Sequence, residues 1–138
     1  MSIPNCPVIA IDGPTASGKG TVAALVAGRL GYHYLDSGAI YRVLAVAVER
    51  AALNPDLPVD LLRIIPMAAN LPVQFRDDRI LLGGVDVSES IRTEDAGVMA
   101  SRLAVVPEVR AGLLQRQRDF RQAPGLVADG RDMGSVVF

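Results

Sequence analysis

The segment Gly13-Pro14-Thr15-Ala16-Ser17-Gly18-Lys19-Gly20-Thr21 is the part of this chain best equipped for chemistry. It holds the Gly-x4-Gly-Lys spacing of a P-loop. Glycines permit a tight loop whose backbone N–H groups point inward at phosphate oxygens. A helix opening near Lys19 adds the positive end of its dipole. Lys19 itself is a compact charge on a flexible stem, able to reach the β and γ phosphates. The chain has thirteen arginines and this single lysine, so elsewhere it uses Arg for positive charge. The residue after Lys19 is Gly20 rather than Ser or Thr, and the hydroxyl comes one place later at Thr21. That departure leaves Thr21 a candidate for the Mg²⁺ shell and not an assigned ligand. An ordinary glycine-rich turn is the competing reading; a strand before and a helix after favour phosphate.

Two further motifs could complete a site. Asp36-Ser37-Gly38-Ala39-Ile40-Tyr41-Arg42 follows a short apolar run. Alone it reads as a helix cap with an exposed arginine. At the carboxyl end of a strand, where open α/β sheets bind ligands, Ser37 and Arg42 could hold a second phosphate. Asp129-Gly130-Arg131-Asp132 also ends an apolar run. It resembles a Walker B element, whose Asp holds Mg²⁺ directly or through water; a plain turn is the alternative. Arg131 could pair with a phosphate or only with Asp132. The basic stretch Arg110, Arg116, Arg118 and Arg121 reads chiefly as a solvated face, with Arg110 the one candidate ligand and Ser101 a candidate hydroxyl before it. His33, the only histidine, has no partner in the sequence and reads as structural.

The elements that must position these groups follow from periodicity. Val8–Ile11 is a buried strand by length. Val22, Leu25, Val26 and Leu30 recur at helical spacing, and Gly31 stands where a helix ends. His33–Leu35 reads as a second strand, and a helix capped by Asp36 or Ser37 carries Ile40, Leu44 and Ala51. A third helix starts near Pro58 and is limited or kinked by Pro66. Pro72–Arg76, Arg79–Leu82 and Val85–Val87 are short and separated by Asp77–Asp78 and Gly83–Gly84, a small antiparallel insertion. Thr93 caps a helix with Glu94 and Asp95 in its first turn. Pro107 opens another, with Val109, Leu113 and Phe120 inward. Leu126–Ala128 is a buried strand, and Val136–Phe138 an apolar run without a cap.

Composition fits this order. Half of the 138 residues are hydrophobic and only 4% are aromatic, which suits an aliphatic core around a buried parallel sheet. Net charge is −1, so nothing draws the whole chain to nucleic acid or acidic membranes. The apolar runs are too short to span a bilayer, and no basic segment followed by an apolar core opens the chain. The lone Cys6 cannot form an internal disulfide. A reduced, cytoplasmic setting is expected.

The three motifs in this order, with the hairpins between them, resemble bacterial cytidylate kinase. The Gly-Lys-Gly-Thr form matches that of nucleoside monophosphate kinases. The run Arg116-Gln117-Arg118 through Gly125-Leu126-Val127-Ala128-Asp129-Gly130-Arg131-Asp132-Met133-Gly134 is especially similar to this family. The resemblance implies a P-loop NTPase-type α/β fold, a parallel sheet flanked by helices, with residues 1–138 forming one domain that is incomplete at its C-terminus. A monophosphate-binding subregion is inserted at about residues 58–92. The family transfers the γ-phosphoryl of ATP to CMP or dCMP with Mg²⁺. By resemblance, Gly13–Thr21 bind ATP, and Lys19, Asp129 and Arg131 are catalytic. Ser37 and Arg42 hold the CMP phosphate, and Ser101, Arg110, Arg131 and Asp132 contact base, sugar or phosphate. Asp129 lies near the metal. The partners implied are small nucleotides, with neither nucleic acid nor membrane. A monomer is expected at full length, and association for a fragment. Family members continue with further strands, an arginine-bearing lid and closing helices, so a chain of this extent is expected to be weakly active or inactive alone. Another small-molecule P-loop kinase, for shikimate or gluconate, and a non-catalytic nucleotide-binding piece are the rival readings.

Overall fold

The computed structural model describes residues 6–12, 19–76, 79–130 and 133–138, without the side chains of residues 19, 20, 135 and 136. The strands are β1 (Val8–Asp12), β2 (His33–Asp36), β3 (Val73–Arg76), β4 (Arg79–Leu82), β5 (Val85–Asp86) and β6 (Leu126–Gly130). The helices are α1 (Lys19–Leu30), α2 (Ser37–Arg50), α3 (Pro58–Ala69), α4 (Glu94–Ala104) and α5 (Pro107–Arg118). They form two compact units, Met1–Gly38 with Gln117–Phe138, and Ala39–Arg116. The α/β class with a parallel sheet and a small antiparallel one is as the sequence indicated.

In the first unit, β6 is the middle strand of a parallel sheet ordered β1-β6-β2. Every residue of β6 is buried, which explains the apolar Leu126-Val127-Ala128 run that opens it. Its register aligns Ala10 and Leu35 with Ala128, and Asp12 with Gly130. Among the described residues β1 pairs with β6 alone, and its residues are exposed or half-buried. Helix α1 packs through Ala23 and Ala27 against Val127, beside Ile9, Ile11, Val26, Tyr32 and Tyr34. Of the expected face, Val26 packs inward and the rest does not. Val22, Leu25 and Leu30 are 54%, 60% and 48% exposed, because alanines, not branched residues, let the helix axis come close to the sheet. Gly125 permits a similar approach: a Cβ there would lie 2.5 Å from the Tyr32 ring. His33 donates from Nε2 to the Ala123 carbonyl at 3.1 Å.

Two expectations about the carboxyl-terminal segment are corrected. The apolar run at its end is a π-helical turn, Met133–Val137, closed by the Phe138 N–H on the Met133 carbonyl at 2.9 Å. The basic stretch is not simply solvated. Arg118 Nε donates to the Val137 carbonyl and Arg121 Nε to the Cys6 carbonyl, each at 2.9 Å. Carbonyls at the ends of segments need a donor, and a planar guanidinium supplies one over a long reach.

In the second unit, α2 buries a broad face, Ala39, Ile40, Val43–Val46 and Val48. Helix α3 runs through Pro66 to Ala69 instead of stopping at it. The carbonyl that Pro66 frees belongs to Leu62, which is 72% exposed, where water can replace the lost bond. Gly112 brings α5 onto α3, since a Cβ there would sit 3.2 Å from the Ala68 Cβ. Arg116 donates to the Leu71 carbonyl at 2.7 Å and ties α5 to the entry of β3. Strands β3, β4 and β5 form the antiparallel sheet. Gly83 and Gly84, at φ 56° and 85°, make the two-residue turn that matches the twist of the β4–β5 hairpin. Thr93 caps α4 by accepting the Ala96 N–H at 3.1 Å. Among the described residues no helix is long and apolar enough to cross a membrane.

Candidate active site

Parallel strands with right-handed crossovers put their carboxyl ends, and the helix starts that follow, on one side of a sheet. In the first unit these ends are β1 at Asp12, β6 at Asp129–Gly130 and β2 at Asp36. Helix α1 opens at Lys19 after β1, and α2 opens at Ser37 directly after β2. Residues 13–18 of the Gly-rich loop, together with Arg131 and Asp132, lie outside the described residues, as does the Lys19 side chain.

Asp129 is 2% exposed. It accepts a hydrogen bond from the Tyr34 hydroxyl at 3.2 Å, so this buried carboxylate is held by its neighbour strand. Asp12 accepts the Met133 N–H on Oδ1 at 2.8 Å, fixing the segment after β6 against the end of β1. Ser37 donates its hydroxyl to Oε1 of Gln117 at 2.7 Å. Gly130 lets the ends of β6 and β2 close up: a Cβ on it would meet Ser37 Cβ at 2.7 Å and Met133 Sδ at 2.9 Å. Among the described residues no three His, Cys, Asp or Glu side chains gather as a metal cage. A Mg²⁺ that travels with nucleotide phosphates needs only one or two carboxylates from the protein.

The second unit holds the remaining sequence candidates. Arg42 donates from Nη1 to the Ile91 carbonyl at 2.8 Å and reaches the Thr93 carbonyl at 3.5 Å. Its guanidinium lies against α4 at Gly97, where a Cβ would come within 3.0 Å of Nη2. Among the described residues its hydrogen bonds run through Nη1, and a guanidinium carries further N–H donors on Nε and Nη2. Ser101 is exposed, one turn further along α4, and donates to the Gly97 carbonyl at 3.1 Å. Arg110, exposed near the start of α5, acts on the Tyr41 hydroxyl as a nearby positive charge. Burial pushes the Tyr41 phenol above its ordinary range, and Arg110 pulls it partly back.

Sequence reasoning missed Gln117 and Gly130. Gln117 is 5% exposed and continues the buried stripe of Val109 and Leu113 at four-residue steps, where the sequence reading puts Phe120. The available signal was a polar residue on an apolar helix face, which needs a partner.

The cytidylate kinase family profile matches residues 9–138. The chain belongs to the cytidylate kinase family. It is 59% identical over 132 residues to a cytidylate kinase of Chromobacterium violaceum, covering 96% of this chain and 58% of that protein. To one of Polynucleobacter necessarius subsp. necessarius it is 54% identical over 138 residues, covering 100% of this chain and 62% of the relative. To one of Neisseria meningitidis serogroup A it is 59% identical over 131 residues, covering 95% and 59%. The chain therefore spans about three-fifths of the length of these cytidylate kinases.

Proposed function

We propose that this chain is the nucleotide-binding and acceptor-binding part of an enzyme that moves the γ-phosphoryl group of ATP to CMP or dCMP. The observation that carries the reading is that the phosphate-binding sequence Gly13–Thr21 follows the parallel strand β1 and that its Lys-Gly-Thr end opens α1. Ser37 and a buried Asp129 stand at the ends of the neighbouring strands. The names of the relatives support the acceptor.

In this reading Gly13–Thr21 cradle the ATP phosphates by backbone N–H groups, and Lys19 neutralises charge between the β and γ positions. Ser37 and Arg42 hold the acceptor phosphate. Ser101, Arg110, Arg131 and Asp132 contact the base, sugar or phosphate. Asp129, with Thr21, would hold Mg²⁺ in its shell; the buried, hydrogen-bonded carboxylate suits that donor set. The ion, when bound, offsets charge on the transferring group. What the chain itself does is align two polyanions and offset their repulsion, since phosphoryl transfer asks for positioning more than covalent chemistry. Arg131, two residues beyond Asp129 in the sequence, would stabilise the developing charge of that transfer.

The test is CMP-dependent ADP release by the full-length protein, with shikimate, gluconate, UMP and AMP as competing acceptors. Preferred turnover of CMP or dCMP supports the reading. Preference for a non-nucleotide acceptor, or ATP binding with no acceptor-dependent turnover, would replace it.

A further inference from the structure

We propose that Gln117 is a positioning residue that sets which way the Ser37 hydroxyl can hydrogen-bond. The inference rests on the reading of Ser37 as an acceptor-phosphate ligand. A serine hydroxyl has a single proton to donate and two lone pairs. Here that proton goes to Oε1 of Gln117 at 2.7 Å, so Ser37 presents only lone pairs to anything else. A phosphate oxygen also presents lone pairs and needs a donor. The two would repel.

Gln117 is 5% exposed and sits on the buried stripe of α5, so its side chain has little room to leave. A half-turn of its terminal amide exchanges Oε1 for Nε2 with almost no movement of heavy atoms. Nε2 then donates to Ser37 Oγ, and the hydroxyl proton is released towards the phosphate. The same side chain thus holds the oxygen in place in both arrangements. The crowding at Gly130, which brings β6 within contact of Ser37 Cβ, keeps Ser37 from avoiding the choice by moving. No sequence pattern for phosphate binding asks for an amide four residues beyond Leu113. The geometry gives it this role.

The experiment is a double-mutant cycle in the full-length protein, with Michaelis constants for CMP and ATP and a thermal melt for each variant. Ser37→Ala is expected to raise the CMP constant by about tenfold or more, the effect of losing a hydrogen bond to a charged group. Gln117→Met frees the proton but no longer holds the oxygen, so it should raise the CMP constant by a smaller factor and leave the ATP constant within about twofold. Adding Gln117→Met to Ser37→Ala should change nothing further, because Gln117 acts only through that hydroxyl. If Gln117→Met does not fold, Gln117→Glu serves. Its carboxylate keeps the shape and accepts from Ser37 but cannot donate. The CMP constant therefore rises when Ser37 is intact and does not rise further in the Ser37→Ala background. A Gln117 variant that handles CMP normally, or whose effect adds fully to Ser37→Ala, overturns the proposal and leaves the acceptor site standing. A Ser37→Ala variant with unchanged CMP handling overturns the acceptor-site reading and the proposal with it.

Discussion

Replacing Gly130 with alanine puts one methyl group into the tightest place near the candidate site. Its Cβ would lie 2.7 Å from Ser37 Cβ, 2.9 Å from Met133 Sδ and 3.3 Å from Ser37 Oγ. Carbon atoms pack at about 3.5–4.0 Å, so roughly 1 Å of displacement must be found. Met133 can give, because a thioether at the end of a flexible chain finds another rotamer. Ser37 Cβ cannot, since it is bonded directly to the backbone of the first residue of α2. Strand β6 cannot retreat either, being paired on both sides, with Gly130 opposite Asp12 and Asp129 opposite Asp36. Overpacking of this kind costs about 1–3 kcal/mol. The gain from a stiffer unfolded chain, about 0.4–1 kcal/mol, offsets part of it. The net, of order 1–2 kcal/mol, corresponds to a melting temperature lower by about 3–8 °C for a domain of this size. The shift must also open the Ser37–Gln117 bond, so the Michaelis constant for CMP should rise about tenfold while that for ATP stays near its starting value. The assay is a thermal melt with paired kinetics on the full-length protein. A variant that melts at or above the parent temperature with unchanged CMP handling would refute the argument that this close approach holds Ser37.

Lys19→Met should lower turnover by orders of magnitude and leave the melting temperature nearly unchanged; normal turnover would sink the phosphate-loop assignment. Arg42→Ala and Arg110→Ala should raise the CMP constant far more than the ATP constant, because Arg–phosphate bonds are charge-assisted and geometrically selective; the opposite pattern would mean that the subsites are exchanged. Tyr41 has a folded-state pKa raised above 10.0 by burial. Its contribution is complete below about pH 10, where both states are protonated, and is lost as pH rises through the folded value. Tyr41→Phe should therefore lose less stability than the parent as pH rises above about 10, and identical alkaline melts would contradict this. Residues 1–138 expressed alone should turn over CMP well below the usual kinase range of about 1–100 s⁻¹. They should also associate through the edge of β1 that has no partner strand among the described residues. A stable monomer with full turnover would refute that expectation.

Local chemistry carries much of this fold in the sequence itself. The Thr93 cap, the Pro107 helix start, the Gly83–Gly84 turn and the short apolar strands are each decided by residues within a few positions of one another, and the structure bears them out. The Gly-x4-Gly-Lys spacing and the Asp-ended strands are legible for the same reason: the chemistry needs those residue types at those steps. The family follows from the motifs in their order, because few other arrangements put them there.

Tertiary structure decided what depends on the size of the space between distant segments. Leucine and valine spacing marks one face of α1, yet of those residues Val26 alone turns inward, beside the Ala23 and Ala27 that bury fully against β6, because small side chains allow a close approach. Arginines that look like a solvated stripe serve the carbonyls of Leu71, Val137 and Cys6, segments that the sequence does not bring near them. Gln117 finds Ser37 across 80 positions, and Gly130 is needed because a strand end and a helix start close on the same point. A spacing rule reads along one element. A hydrogen bond or a van der Waals gap between elements exists only once both have been placed.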